Sequence, residues 1–180
     1  MSSTHSPHRG FRLVLALSIL TTFIGCDQAT KSLATQHLRG APPQSYLSDT
    51  LRLEYALNPG GFLSLGSQLG PEVRQGLFIG FNTLFLLGVV YFLYRRWDIR
   101  LPLFLAGVYI LGGGIGNLID RVTNQGLVTD FLVLGIGPVR TGVFNVADMG
   151  VTFGVIAILL FSRDEPVAEP ATAEANPNAE

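Results

Sequence analysis

Asp130 and Asp148 stand 18 positions apart, flanked by Thr129, Phe131 and Asn145. A hairpin between them would bring the two carboxyls together. Carboxylates converging at a water-accessible edge share one proton, because like-charge repulsion raises one pKa and leaves the other low. The ionised member takes a proton from water. The protonated member hydrogen-bonds a scissile carbonyl and later protonates the leaving amine. This is aspartic protease chemistry. A proton or cation relay uses the same residue types, and the two carboxyls alone do not separate the readings.

Other polar residues recur at helical spacing. Asp27 and Lys31 lie four apart, on one helix face. They suit an interfacial ion pair that fixes helix depth, or a substrate-lining role. Asn117, Asp120 and Arg121 share a face at i, i+3 and i+4, and Asp120 is placed to neutralise Arg121. Gly112 and Gly116 form a small-xxx-small pair, which serves close helix packing or leaves room for a ligand. Asn145 and Asp148 are three apart. No serine–histidine pairing occurs at these positions. His5, His8 and His37 form no ligand cluster, and a lone cysteine, Cys26, excludes an internal disulfide framework and a cysteine-based zinc site.

The elements that must hold these residues follow from scarcity of charge. Only 14% of the 180 residues are charged, and the net charge is −1, against about 25% in a soluble domain. A soluble enzyme, a nucleic-acid binder and a disordered chain are all disfavoured; a small integral membrane protein remains. Residues 76–94 and 101–119 are uncharged and long enough to cross a bilayer. The apolar runs at 13–26 and 149–162 are shorter. To span, the first must continue through Asp27 and Lys31 toward Ala34. The last must begin near Val143 or Phe144 and carry Asn145 and Asp148.

The expected fold is membrane all-α with a small β part. Four transmembrane helices place both termini in the cytoplasm, because Arg9 and Arg12, the Arg95–Arg100 loop and Arg163 mark that side. Tyr91, Tyr94 and Trp97 would form an interfacial aromatic cluster there. The polar span ends then gather at the outer face. Alternation over Leu51–Leu57 predicts a strand closed by an Asn58-Pro59-Gly60-Gly61 turn. Val128–Leu134, a turn over Gly135–Pro138 and Val139–Phe144 predict a strand pair, giving a small extracytoplasmic sheet on the membrane surface. Residues 11–162 form a single four-span domain. Residues 1–10 read as a flexible N-terminus, and 163–180 as a disordered acidic Ala/Pro-rich tail.

Five segments together resemble the lipoprotein signal peptidases, the bacterial type II signal peptidase family. Asp27-Gln28-Ala29-Thr30-Lys31 is similar to its D-Q-x-[ST]-K element, and Asn58-Pro59-Gly60-Gly61-Phe62 to its N-x-G-A-A-F element. Gly112 to Arg121 resembles G-G-A-x-G-N-x-x-D-R, with Gly114 at a usual alanine. Val128-Thr129-Asp130-Phe131 and Phe144-Asn145-Val146-Ala147-Asp148 resemble V-x-D-F and F-N-x-A-D. The resemblance implies an aspartic endopeptidase of the bacterial cytoplasmic (inner) membrane, its active site at the outer face. It implies Asp130 and Asp148 as the catalytic dyad. Asp27, Lys31, Asn58, Gly113, Asn117, Arg121 and Asn145 would line the site, with Asp120 supporting Arg121. The implied substrates are prolipoproteins, cut before a diacylglyceryl-modified cysteine within membrane lipid. No metal or organic cofactor, nucleic acid or obligate protein partner is implied.

Two other readings use the same residues. Phe23-Ile24-Gly25-Cys26 loosely resembles a lipobox, which would make Cys26 the N-terminus of a mature lipoprotein; Phe23 fits that motif poorly, and Cys26 reads instead as a buried small apolar residue. A transporter or proton-conducting protein would use the aspartates without cutting peptide.

Overall fold

The structure is a computed structural model and describes residues 7–60 and 70–162. In chain order it contains α1 (Pro7–His37), β1 (Gln44–Tyr46), β2 (Leu51–Asn58), α2 (Pro71–Arg95), α3 (Leu101–Thr123), β3 (Val128–Ile136), β4 (Val139–Arg140) and α4 (Val146–Phe161). The expected tail, Arg163 and the Gly61-Phe62 end of the Asn58 turn lie outside the described residues, as do residues 1–6.

Helices α1, α2 and α3 are long and apolar enough to cross a membrane. Helix α1 runs unbroken through Asp27 and Lys31, as its short apolar run requires. Helix α4 has 16 residues, about 24 Å at 1.5 Å per residue, and is shorter than the other three. Prolines in the first turn start α2 and α3, where a missing N–H removes no helical bond. Helix α4 starts differently. Asn145 is its N-cap and accepts from the Asp148 backbone, while the Asp148 side chain accepts from the Asn145 backbone.

Helix α3 is the central element, packed against each of the other helices. Glycines permit that closeness. A Cβ on Gly113 would stand 2.2 Å from the Ala147 carbonyl oxygen, and one on Gly112 would stand 2.9 Å from the Phe23 ring. Gly150 and Gly154 do the same from α4, against Phe23 and against Ile110 with the Ala106 carbonyl. Phe104, Val108 and Leu111 of α3 join Ala16, Leu86 and Leu93 in the core. Large apolar side chains such as Phe81, Leu84 and Phe153 project outward, the surface a bilayer would cover.

The arginine-rich end is cross-tied. Arg12 donates to the carbonyls of Trp97 and Ile99 at 2.5 and 2.7 Å and lies over the Phe104 ring. Arg100 donates to the Phe161 carbonyl. The start of α1, the α2–α3 loop and the end of α4 therefore share one end of the bundle. Tyr91 and Tyr94 are exposed there. Trp97 departs from the expected cluster: its ring packs edge-on against Phe104 at 5.5 Å, facing the core.

At the other end the strands form one antiparallel sheet in the order β1-β2-β3-β4. Strand β1 was not legible in the alternation. Strand β3 runs two residues further than expected and turns at Gly137, whose φ is +57°. Strand β4 is only two residues long, after which Phe144 bridges back to Leu132. An irregularity between Leu53 and Ala56 leaves three steps on β2 against two on β3, just beside the Ala56–Asp130 pair. Such a bulge twists a strand and re-aims neighbouring side chains. The sheet is fixed to α1 through Ala34, Leu38 and Phe131, with Leu53, Tyr55 and Val146 around them.

Candidate active site

The site forms where the end of α1, the end of α3, strand β3 and the start of α4 meet. Asp130 enters from the sheet and is 2% exposed. Its Oδ2 accepts from Asn58 Nδ2 at 3.0 Å, and its Oδ1 from Asn145 Nδ2 at 2.6 Å. Asp148 enters from the first turn of α4. Its Oδ1 accepts from Asn117 Nδ2 at 2.8 Å, and its Oδ2 from the Asn145 backbone at 3.2 Å. Asn145 therefore joins both carboxylates, one through its amide group and one through its main chain.

Asn117 links this pair to the basic residue on α1. Its Oδ1 accepts from Lys31 Nζ at 3.0 Å and from Asn145 Nδ2 at 3.2 Å. Lys31 also pairs with Asp27 at 2.9 Å and Asp120 at 3.4 Å. Asp27 is wholly buried, and its Oδ1 accepts from the Ala147 backbone at 2.8 Å. The carboxylate thus serves a helix start, where backbone N–H groups lack intrahelical partners and negative charge is favoured.

Burial raises the Asp130 carboxyl from 3.8 to about 7, and the charge of Asp148 adds to the rise. Hydrogen bonds from Asn58 and Asn145 and the charge of Lys31 act the other way. The cluster holds Asp27, Asp120, Asp130 and Asp148 against Lys31 and Arg121. An excess of carboxyls in a buried setting favours keeping one protonated. An acid and a base held by one asparagine are suited to activate water and to protonate a leaving group.

Several expected residues take other positions. Asp120 does not support Arg121 by direct pairing among the described residues. It accepts from Thr129 N at 2.8 Å and Gln28 Nε2 at 3.1 Å, because successive helical residues point about 100° apart. Arg121 turns toward α2, lies over the Phe78 ring at 5.6 Å and donates to the carbonyls of Gly60 and Asn117. Gly113 sits against Ala147 in the α3–α4 contact; its role there is close approach. Cys26 is exposed rather than buried, since the helix turns its inward face to Asp27. It lies in mid-helix, so cleavage before it would sever α1 from the Asp27–Lys31 pair.

Residue spacing does not reveal three contributors to the site. Gln28 donates to Asp27, Asp120 and the Gly116 carbonyl. Thr129 and Ala147 act through backbone N–H groups. Gln28, next to Asp27 in the Asp27–Lys31 segment, is the one with a signal in the sequence; backbone donors leave none.

The family model for signal peptidase (SPase) II matches residues 19–163. The lipoprotein signal peptidase of Chlorobaculum tepidum is 40% identical over 145 residues, covering 75% of this chain and 85% of that one. That of Desulforapulum autotrophicum is 32% identical over 147 residues, covering 82% and 90%. A solved bacterial membrane enzyme superposes with a TM-score of 0.74 at 24% identity, covering 87% of this chain and 94% of that one.

Proposed function

The chain belongs to the signal peptidase (SPase) II family, and from that premise we propose that it removes signal peptides from prolipoproteins with Asp130 and Asp148 as its catalytic dyad. The observation that carries this is the shared ligand Asn145, which bonds Asp130 through Nδ2 and Asp148 through its backbone. In this reading the ionised aspartate takes a proton from water, and the resulting nucleophile attacks the scissile carbonyl. The protonated partner first hydrogen-bonds that carbonyl and then gives its proton to the leaving amine. Asn58, Asn117 and Asn145 hold the two acids in register, while Asp27, Lys31 and Asp120 form the buried frame behind them. No metal or organic cofactor enters the scheme.

The substrate reading follows from the same arrangement. A signal peptide whose cleavage-site cysteine carries diacylglyceryl chains is held in lipid, so the bond to be cut lies at the outer interface. We place α1 to α4 across the bacterial cytoplasmic membrane as a single domain over residues 11–162, with both termini cytoplasmic and the sheet on the outer surface. The arginine-rich end supports that orientation. Arg121, by donating to the Gly60 carbonyl at 3.0 Å, would hold the Asn58-Pro59-Gly60 turn beside α3.

The test is cleavage of lipidated and non-lipidated precursors, side by side, by purified protein in lipid. Asp130→Asn and Asp148→Asn should each abolish cutting of the lipidated precursor while retaining wild-type thermal unfolding. Wild-type rates in either variant would sink the dyad. Ion flux without peptide cleavage would instead favour a relay.

A further inference from the structure

Between Gln75 and Tyr91, helix α2 carries hydrogen-bonding side chains only at Asn82 and Thr83. Both are partly buried, midway along a helix otherwise built of apolar residues and glycine. Asn82 Nδ2 donates to the Gly114 carbonyl of α3 at 3.1 Å. Its Oδ1 accepts from no described residue, and it is not sealed within the helix pair. An amide oxygen without a donor is costly in the span of a membrane helix. A tie between the two helices uses only the nitrogen, so it does not account for the open oxygen.

Gly114, Asn117 and Arg121 fall within about 60° of one another around α3. Asn117 donates to Asp148, and Arg121 lies over Phe78, which precedes Asn82 by one turn of α2. Asn82 and Gly114 therefore extend the face that holds Asn117 and Arg121. They extend it inward, since Gly114 lies three residues, about 4.5 Å, before Asn117 along α3. The cover over the matching stripe of α2 thins in the opposite direction. Leu86 and Leu93 are 6% exposed, whereas Phe78 and Asn82, nearer the carboxylates, are only partly buried.

We propose that Asn82 binds the substrate, its Oδ1 accepting a backbone N–H of the signal peptide just before the cut. The inference rests on the cleavage reaction proposed above. A chain laid across Asp130 and Asp148 is extended there, so its N–H groups have left their helical partners while still in lipid. An acceptor on the enzyme replaces those partners. An extended chain advances about 3.3 Å per residue. A group about 4.5 Å inward of Asn117 therefore meets the first or second residue before the scissile bond. Because the contact is to main chain, it sets the register of the cut for signal peptides of differing sequence.

Asn82→Leu, near in volume and without a hydrogen-bonding group, tests this with purified protein in lipid. Its kcat/KM for the lipidated precursor should fall about tenfold, the worth of one such bond. A lost helix tie alone would lower every substrate equally, so the substrate is varied too. In three further precursors an ester oxygen replaces the N–H of the first, second or third residue before the cut. At one of the first two positions the parent should drop to the level of Asn82→Leu, and the variant should fall no further. With the ester at the third position, the gap of about tenfold should remain. Asn82→Ala gives the same comparison should leucine disturb folding. A parental rate in Asn82→Leu, or a gap of equal size with all three esters, would overturn the proposal and leave Asn82 a helix tie. Failure of the parent to cut the unmodified precursor would count instead against the cleavage reading itself.

Discussion

The Asp27 carboxylate accepts a hydrogen bond from the Ala147 backbone at 2.8 Å, joining α1 to the first turn of α4 across 120 residues. With Asn145 accepting from the Asp148 backbone, two of the free N–H groups at the start of α4 are satisfied by side chains. The same carboxylate pairs with Lys31. Asp27 is therefore a positioning residue: it holds the helix that carries Asp148.

That role predicts a graded response to substitution. Asp27→Asn keeps an oxygen for the Ala147 N–H but loses the ion pair; Asp27→Ala loses both. Breaking a buried pair by removing one partner costs about 3–5 kcal/mol, so Asp27→Ala should unfold at a markedly lower temperature. Asp27→Asn should lie between it and the parent. Both should lower kcat more than they raise KM, measured with a lipidated precursor in lipid. Equal unfolding temperatures for all three proteins would refute the helix-holding role.

The protonation state of the proposed dyad gives a pH signature. Asp130, raised from 3.8 to about 7 by burial and by Asp148, keeps its proton through the acidic range and loses it around neutrality. The ratio kcat/KM should fall as pH rises through about 7, when the pair loses its shared proton. Asn58 donates to the Asp130 carboxylate and so lowers its pKa. Asn58→Ala should move the basic limb to higher pH. For the fold the sign is also fixed. A carboxyl whose pKa is raised on folding favours the folded state less as pH climbs from about 4 toward 7 and beyond. An unmoved basic limb in Asn58→Ala would argue that Asp130 does not set it.

The glycines of α3 make a sharper structural prediction. A methyl at Gly113 would meet the Ala147 carbonyl, a backbone atom, at 2.2 Å. A methyl at Gly114 would meet side-chain atoms alone, first the Leu86 Cδ2 at 2.4 Å, the far end of a flexible side chain, then Leu86 Cγ and Asn82 Oδ1 at 3.4 and 3.6 Å. Gly113→Ala must push α4, and with it Asp148, away from α3. Displacements of about 1 Å in a site of this kind cost about a hundredfold in rate. Gly114→Ala should keep near-parental cleavage and unfolding. Parallel assays of the two proteins check this, and a fully active Gly113→Ala would show that α4 yields without disturbing Asp148.

Much of this arrangement was legible in the sequence because charge in an apolar chain is expensive and must gather where it is used. The short apolar runs ending at Asp27 and beginning after Asp148 required polar helix ends, and α1 does continue through Lys31 to His37. What stayed hidden were relations between elements. The Asp120 charge does favour the charged Arg121 beside it, but the helix gives the two side chains different hydrogen-bond partners. Gly113 read as a lining residue, but its lack of a side chain serves Ala147. Strand β1 has three residues and no alternation long enough to detect. The β4 return was overestimated because a single Phe144–Leu132 bridge does the work that a longer strand was expected to do.

Asn145 carries two functions that substitution can separate. Its side-chain oxygen caps α4 by accepting from the Asp148 backbone at 2.9 Å, and its amide nitrogen bonds Asp130 at 2.6 Å. Asn145→Ser keeps a capping oxygen and removes the donor to Asp130. Asn145→Ala removes both, and loss of a cap costs about 1 kcal/mol. Both variants lose the buried amide bonds to Asp130 and Asn117 and should unfold at lower temperature than the parent, with Asn145→Ala below Asn145→Ser by about 1 kcal/mol for the cap. Cleavage should fall strongly in both, because neither holds Asp130 against Asp148. Without the Asn145 donor, the Asp130 carboxylate also loses a bond that favours its charged form. Residual activity in Asn145→Ser should accordingly extend to higher pH than in the parent. A serine variant as active as the parent, with an unchanged pH profile, would reduce Asn145 to a helix cap.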